Sequence, residues 1–500
     1  MKRSQKLFSI SLLALVVSGC AVTSQPIDRS VSEQRAKSDL QLMYKDQEPL
    51  NGALTLHQAM ARAVKYNLEA RLKIMEEALA KRQLDLASFD MLPRMALSAG
   101  YAGRSNVSAS SSESVETGTQ SLEPSTSQDR SRRVADLTMV WNVLDFGVSY
   151  ISAKQQGDQR LIVQERRRKV INTIVQDVRS AYWRAVAAER MLKQIDSLMV
   201  RVEKAQDNSQ QMSQQRVGDP VQALGYQRSL IQATRQLEEQ RKALSLAKTE
   251  LATLINLPLG TDLKLATPDD YSIPQLKVDM ARLETEALAS RPELREQDYQ
   301  TRISSAETRM AMLPGLEFSA GGHYDSNSFL VNDKWADLGV KVTWNLFNVL
   351  SAPAAIDVAK AGEEVATARR QAMSIAVLAQ LYVANANYNE ALRQFKTSQQ
   401  LSSIDSQIVG QLRNRYQAAG LGELDLIQGE LNTLQADLRR DLAYADLRNA
   451  YGQIFASAGL DPLPSELSST KVQAIAVALD ARESQWEAGN ISVAATAPKP

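Results

Sequence analysis

Residues able to carry out chemistry are few in this chain of 500 residues. It has one cysteine, Cys20, and two histidines, His57 and His323. No nucleophile stands in a recognisable arrangement with a base, and neither a phosphate-binding loop nor a metal-site spacing occurs. One cysteine and two histidines also leave little material for a metal cluster. We therefore expect no catalytic residue, no metal, no cofactor and no enzyme activity.

Cys20 follows an export signal. Three basic residues lie near the start of the chain, and residues 7–17 form an apolar run too short for a permanent membrane helix. Val17-Ser18-Gly19-Cys20 then resembles a bacterial lipobox, where the signal is cleaved before the cysteine and the thiol is acylated. A lone exported thiol has no disulfide partner, so a role as acyl acceptor explains it. The alternative is an ordinary secretory signal with an incidental cysteine.

Composition favours long helices and gives no support to nucleic-acid binding. Aromatic residues make up 5% and charged residues 23%, and the net charge is +1. Alanine, leucine, glutamine and arginine are plentiful, and all are good helix formers. A net charge this small lacks the basic excess that a polyanion would attract.

An internal repeat of roughly 200 residues organises the chain. Landmarks recur in the same order: Met91-Leu92-Pro93, Ser98-Ala99-Gly100 and Ala135-Asp136-Leu137 in the first half, and Met312-Leu313-Pro314, Ser319-Ala320-Gly321 and Ala336-Asp337-Leu338 in the second. The order of landmarks is kept through both halves, so chance is a poor explanation. We infer a duplication.

Each half has the same predicted plan. A helix (about residues 55–90 and 279–311) ends at a proline, and two alternating stretches follow (94–103 and 134–143; 315–324 and 336–346). Each stretch is close to the length of a tilted membrane-spanning strand. The alternative is a pair of soluble hairpins, which would be marginal alone. The first hairpin loop, about residues 105–133, is rich in serine and threonine, and we expect it to be mobile.

A very long helix follows each hairpin. No proline occurs from about Ser152 to Arg216, and apolar residues recur there every seven positions. They form two rows: Ile171, Val178, Ala185, Leu192 and Met199, and Ile174, Ala181, Ala188, Ile195 and Val202. Leu381, Tyr388 and Phe395 keep the same spacing in the second half. Such a repeat predicts a left-handed coiled coil.

Over about residues 54–463 these motifs resemble the TolC-like outer-membrane efflux proteins. The family's Asn-Pro-Glu-Leu-like signature is kept as Arg291-Pro292-Glu293-Leu294 but lacks its proline at Asn67-Leu68-Glu69-Ala70. The strand exit is similar in Trp141 to Gly147, and the helical tip in residues 415–426. The order of the motifs, repeated twice, is the specific part of the resemblance.

The resemblance implies an α+β fold with two structural repeats per chain. Three subunits would each give four strands to one membrane β-barrel, continuous with a long α-helical coiled-coil barrel in the periplasm. The expected divisions are: signal peptide 1–19; lipidated N-terminal extension 20–53; first repeat 54–260, with its strand pair at 94–143; linker 261–278; second repeat 279–463, with its strand pair at 315–346; and C-terminal tail 464–500.

The resemblance also nominates residues at the periplasmic entrance, where carboxylates ring the bore in the family. Asp425 matches the family's first aspartate, whereas the next is Gln428 here. Glu423 and Glu430 are the substitutes we consider, and the alternative for Asp425 is a solvated charge at a helix start. Arg415 and Tyr416 resemble tethers of a closed tip. Gly218 and Gly420 are expected to make the turns at the helix tips, where a positive φ is often needed.

The implied function is that of a passive trimeric duct from periplasm to exterior. Its partners would be a periplasmic adaptor protein and an inner-membrane pump of RND or ABC type, with the duct held in outer-membrane lipid. Efflux of small molecules and type I secretion of protein are both compatible with the sequence. The alternative is a periplasmic adaptor or coiled-coil scaffold protein, which would have one helical hairpin rather than two.

Mass spectrometry of the mature N-terminus tests the lipobox. We expect an acylated Cys20 at the first position, since no other thiol is present. Cys20→Ser should remove the acyl chain. An unmodified N-terminus at another residue would contradict lipidation.

Overall fold

The computed structural model describes residues 26–214, 220–261, 263–267, 271–310, 315–343, 346–418, 420, 422–464 and 469–491. The chain divides into two compact units, one ending at Pro49 and the other beginning at Leu50. The first unit holds one helix, α1 (Arg29–Met43). The Asp28 carboxylate caps it by accepting the Ser30 N–H at 2.8 Å.

The second unit contains the remaining helices and strands of the described chain. In order they are α2 (Leu56–Tyr66), α3 (Leu68–Phe89), β1 (Arg94–Gly103), β2 (Ala109–Ser110), β3 (Ser125–Thr126), β4 (Ser131–Asn142), α4 (Val143–Gln214), α5 (Pro220–Leu254), α6 (Met280–Ser290), α7 (Pro292–Met310), β5 (Gly315–Asp325), β6 (Lys334–Thr343), α8 (Leu346–Gln417), α9 (Glu423–Ser457) and α10 (Val472–Glu487).

The main helices and strands of the two halves match in order, whereas β2, β3 and α10 have no counterpart in the described chain. Both α4 and α8 have 72 residues, and both α5 and α9 have 35. The short helices α2 and α6 have 11 residues each. The structure therefore confirms the duplication that the sequence landmarks predict.

Each half opens with two helices, so the prediction of one continuous helix is wrong. In the first half Asn67 separates α2 from α3, and its side chain accepts the N–H groups of Glu69 and Ala70. In the second half Arg291 is extended and Pro292 starts α7. A side-chain cap and a proline at the first helical position both favour a new helix start.

The predicted seven-residue seams are buried. Ile174, Ala181 and Ile195 of α4 lie in the core, as do Leu381 and Phe395 of α8. This burial confirms that periodicity decides which face of each long helix packs. No helix within the described ranges has a stretch both long and apolar enough to cross a bilayer.

The long helices pack side by side around α4. It contacts α3, α5, α7 and α9, and α8 packs against α9 and α7. Apolar side chains remain exposed on the outer helices. They are Leu72, Met75, Leu79 and Leu86 on α3, Val221, Leu224 and Ile231 on α5, and Leu401, Ile404 and Ile408 on α8. The layer therefore ends in two apolar helical edges.

Four antiparallel strands form one sheet in the order β1–β4–β5–β6. The junction between the repeats is the pairing of β4 with β5, in which Asp136 lies opposite His323. Within the described chain, β1 and β6 each have a strand neighbour on one side only. The sheet thus leaves two backbone edges without a partner strand.

The helix α10 lies in the segment that the sequence analysis expects to be a C-terminal tail, and it docks through a buried carboxylate. Glu483 lies 3.0 Å from His57 of α2, 3.5 Å from Arg179 of α4 and 3.2 Å from Arg448 of α9. Burial alone would raise the pKa of Glu483, but the two guanidiniums and the His57 hydrogen bond hold it below the ordinary value of 4.5. The Phe455 and Trp486 rings stack beside it at 4.9 Å.

Glu483→Gln should destabilise the fold by about 3–5 kcal/mol, because it leaves the buried Arg179 without its charge partner. Since the folded-state pKa is depressed, the stabilisation is complete above pH 4.5 and is lost as pH falls through the lower folded-state value. Guanidinium unfolding followed by circular dichroism measures both effects.

Glu487→Gln is the matched control, because this side chain is 43% exposed and lies 3.7 Å from the same Arg448. It should change stability by about 0–1 kcal/mol. Equal losses from the two variants would contradict a special role for Glu483.

Candidate functional site

The four-stranded sheet has one apolar face. Strand alternation and register place the following side chains on it together: Met95, Leu97 and Tyr101 of β1, Leu137, Met139 and Trp141 of β4, Phe318 of β5, and Leu338, Val340 and Val342 of β6. All of them are exposed. Two basic residues of this face, Arg133 and Lys334, lie at the strand ends next to the loops.

The opposite face is polar. It carries every carboxylate of the four strands, namely Asp136, Glu317, Asp325 and Asp337. Much of the remaining surface comes from small residues such as Gly100, Gly321 and Gly339. A sheet with one broad exposed apolar face and one charged face is suited to lie between an apolar medium and water.

A row of polar side chains crosses all four strands on this face. Ser98 of β1 donates to Asp136 of β4 at 3.2 Å, and the ring nitrogens of His323 lie 2.7 Å from Asp136 and 2.8 Å from Asp337 of β6. We call these four residues the polar row. The sequence predicts that His323 lies in a strand, but it does not predict that His323 contacts the two repeated aspartates.

The tryptophans do not share one face. Trp141 lies on the apolar face, as a membrane-interface residue would, whereas Trp335 lies on the polar face and stacks on His323 at 5.1 Å. Trp335 is therefore not on the same face as Trp141. Trp344 lies outside the described residues.

Hydrogen bonds join the base of the first hairpin loop to the second hairpin loop. Asp129 accepts the Ser328 N–H at 2.6 Å, and its own N–H donates to the Asn327 side chain at 3.0 Å. Asn327 in turn donates to the Ser127 carbonyl at 3.0 Å. The serine-rich loop lacks an apolar core, but hydrogen bonds to the other repeat's loop fix its base.

At the other end of the unit, Glu430 joins three long helices. Its carboxylate pairs with Arg413 of α8 at 3.1 Å and with Arg201 of α4. We call these three residues the tip clasp. Glu430 was a gate candidate from the resemblance, but its side chain is only 13% exposed and is neutralised by two arginines. Arg201 and Arg413 could not be predicted from the sequence, because their pairing with Glu430 depends on packing between the repeats.

The other carboxylates of the tip are placed differently. Asp425 is exposed on α9, on the same side as Gln428 one turn later. Glu423 is half-buried near Tyr226 of α5, where burial, with contributions from Glu423 and Tyr416, raises the pKa of the phenol. Asp425 is thus the freely accessible acid of the three, while Glu423 and Glu430 lie against the first repeat.

The remaining tip candidates lie around the α8–α9 turn. The Gly420 N–H donates to the Arg415 carbonyl at 3.0 Å, which closes the turn. The φ of Gly420 lies outside the left-handed region, so the expected backbone requirement for glycine does not apply there. The side chains of Arg415 and Tyr416 are exposed. Gly218 and Cys20 lie outside the described residues.

Solved structures share this arrangement of long helices and sheet. The Campylobacter jejuni CmeC outer-membrane channel has a TM-score of 0.63 at 14% identity, over 90% of this chain and 94% of its own. The open state of the Neisseria gonorrhoeae MtrE outer-membrane channel has a TM-score of 0.59 at 19% identity, over 79% of this chain and 88% of its own. The Vibrio cholerae outer-membrane protein VceC has a TM-score of 0.58 at 13% identity, over 81% of this chain and 96% of its own. This chain has the TolC-like channel fold.

No family model matches the sequence, and no curated protein matches it. Within the channel fold, the two-faced sheet and the clasped helical tip lie at opposite ends of the long helices, and both are built from residues of the two repeats.

Glu430→Gln should loosen the tip of the channel fold, because the amide keeps the shape but loses the charge that holds Arg201 and Arg413. Spin labels at Asp207→Cys and Gln428→Cys, in a Cys20→Ser background, report the separation of α4 and α9. We expect a longer and broader distance distribution. Glu203→Gln, at an exposed position of α4, is the matched control and should leave the distribution unchanged; a similar change in both would mean that the clasp does not hold the tip.

Proposed function

We propose that the protein is a passive outer-membrane duct that carries solutes from the periplasm to the exterior. The observation that carries the proposal is the two-faced sheet. Its apolar face is exposed, and within the described part of the chain its edges β1 and β6 lack partner strands. Unpaired backbone groups are costly in lipid, so a membrane-spanning sheet must close on itself. Four strands are too few to do so, which means that several copies must contribute.

The working assembly is a homotrimer in this proposal. Three copies joined through β6 and β1 would give the twelve-stranded barrel that the resemblance implies. The exposed apolar stripe of α8, formed by Leu401, Ile404 and Ile408, would pack against α5 of the next copy, where Leu224 and Ile231 are exposed. Both edges of the helical layer would then be covered, and the helices would continue the barrel as a periplasmic tube.

The helical tip would act as the periplasmic entrance and as the contact for other proteins of an export system. The structurally similar CmeC and MtrE are described as outer-membrane channels. By analogy the duct would receive its cargo from a periplasmic adaptor and an inner-membrane pump of RND or ABC type. Asp425 is our candidate for a carboxylate facing the entrance, with Arg415 and Tyr416 free to contact neighbouring copies.

Acylation of Cys20 would add a lipid anchor at the outer membrane. Anchor and barrel would hold the same chain by independent means. The adaptor or scaffold alternative is less well supported, because the described chain has two long helical hairpins and a four-stranded sheet with an exposed apolar face. The described fold relatives are channels, which supports a non-enzymatic role.

Ile404→Lys tests the assembly, because it places a charge in the middle of the α8 stripe. We expect the wild-type protein in detergent to have a mass of about three protomers and to give stepwise conductance in planar bilayers, and Ile404→Lys to lower the trimeric fraction. Ser403→Lys adds the same charge at an exposed position off the stripe and should leave the trimer intact. A stable wild-type monomer without channel activity would overturn the proposal.

A further inference from the structure

His323 lies between two aspartates that the duplication places at equivalent positions. Asp136 and Asp337 are the central residues of the repeated Ala-Asp-Leu landmarks. His323 has no counterpart in the first repeat, where the equivalent position is Ala102. One ring nitrogen is 2.7 Å from Asp136 and the other is 2.8 Å from Asp337. A single imidazole thus connects the same acidic position of both repeats.

The surroundings fix the ring in this place. Trp335 stacks on it with an interplanar angle of 17°, and Ser98 donates to the far oxygen of Asp136. Gly321 leaves the space through which Asp337 reaches the ring, since a Cβ there would lie 2.4 Å from the Asp337 carboxylate and 2.5 Å from the imidazole. The contact therefore depends on the absence of a side chain at one position.

Both partners of the ring are acceptors when ionised. A carboxylate can only accept hydrogen bonds, and a neutral imidazole has one N–H whereas an imidazolium has two. The geometry with both ring nitrogens at carboxylate oxygens is therefore fully hydrogen-bonded only when His323 is charged. Loss of the proton would break one bond and leave two negative charges without compensation.

Other charged groups on the polar face largely balance one another. Arg132 of β4 pairs with Asp325 of β5 at 3.0 Å, and Glu317 of β5 lies opposite Lys341 of β6 in the ladder. Arg94 lies at the far end of β1, four residues along the strand from Ser98. The polar row is thus the place on this face where the net charge depends on the protonation of a histidine ring, whose two carboxylate partners favour the imidazolium.

We propose that His323 sets the charge selectivity of the barrel bore and makes it depend on pH. The inference rests on the proposed channel function, in which the apolar face meets lipid and the polar face lines the bore. With a neutral imidazole the row carries two negative charges in each copy, and with an imidazolium it carries one. Rings of carboxylates favour cations over anions in pores. The channel is therefore more cation-selective at pH 8 than at pH 5.

Reversal potentials across a potassium chloride gradient, measured in planar bilayers at pH 8 and pH 5, test the proposal. At roughly 0.1 M salt, where charges act over about 10 Å, we expect the wild-type ratio of cation to anion permeability to fall by about twofold or more between the two pH values. His323→Gln should keep a high ratio of cation to anion permeability at both pH values. Asp337→Asn should lower the ratio at both.

Two further variants separate charge from position. Gly321→Ala keeps every charge but displaces Asp337 from the ring, so it should shift the midpoint of the pH dependence and preserve its end values. Glu116→Gln removes a carboxylate from the exposed first loop and should behave as wild type.

The outcomes distinguish the two proposals. Trimers that insert but conduct no ions would overturn the channel function itself. Channels of His323→Gln that keep the wild-type change of selectivity between pH 8 and pH 5 would overturn the role of His323 alone. Trimer formation, checked by mass in detergent for each variant, ensures that an assembled protein is compared.

Discussion

Unsatisfied edges are the constraint on which the rest of this structure depends. The sheet ends at β1 and β6 with backbone groups that have no strand partner in the described chain, and the helical layer ends in apolar stripes on α3, α5 and α8. A hydrogen bond missing in lipid costs several kcal/mol, and an exposed apolar stripe costs free energy in water. In the proposed homotrimer, contact with further copies would remove both costs.

The duplication produced helices of equal length that pack differently. α4 is buried against helices on several sides, whereas α8 contributes mainly one seam to its own protomer. The first repeat therefore acts as the scaffold, and the second packs onto it. Glu430 lies where the two meet near the tip, so the attachment of the second repeat there rests on charge as well as on apolar packing.

The placement of charge on the sheet follows from strand alternation and from the duplication. Alternation places its carboxylates on one face and its large apolar side chains on the other, because successive residues of a strand point to opposite sides. Duplication then brings the two equivalent aspartates within reach of a single histidine in β5. The imidazole, which occurs in one repeat only, thus contacts an aspartate that occurs in both.

Local periodicity let the sequence determine much of the fold. Seven-residue spacing identified the buried seams of α4 and α8, alternation located the four strands, and repeated landmarks exposed the duplication. These signals need only neighbouring residues, since a helix or strand imposes its own period on the side chains. The exposed position of Asp425 at a helix start could also be anticipated in this way, although its partners in an assembly could not.

Tertiary structure alone decided which distant groups meet. Glu483 contacts side chains from α2, α4 and α9 and so holds α10, and the tip clasp joins residues more than 200 positions apart. Asn327 joins the base of the first hairpin loop to the second hairpin loop. Such pairings follow from how the repeats pack against each other, and no local pattern encodes that packing. The break at Asn67 belongs here too, because that side chain also donates to the carbonyl of Leu254 on a different helix.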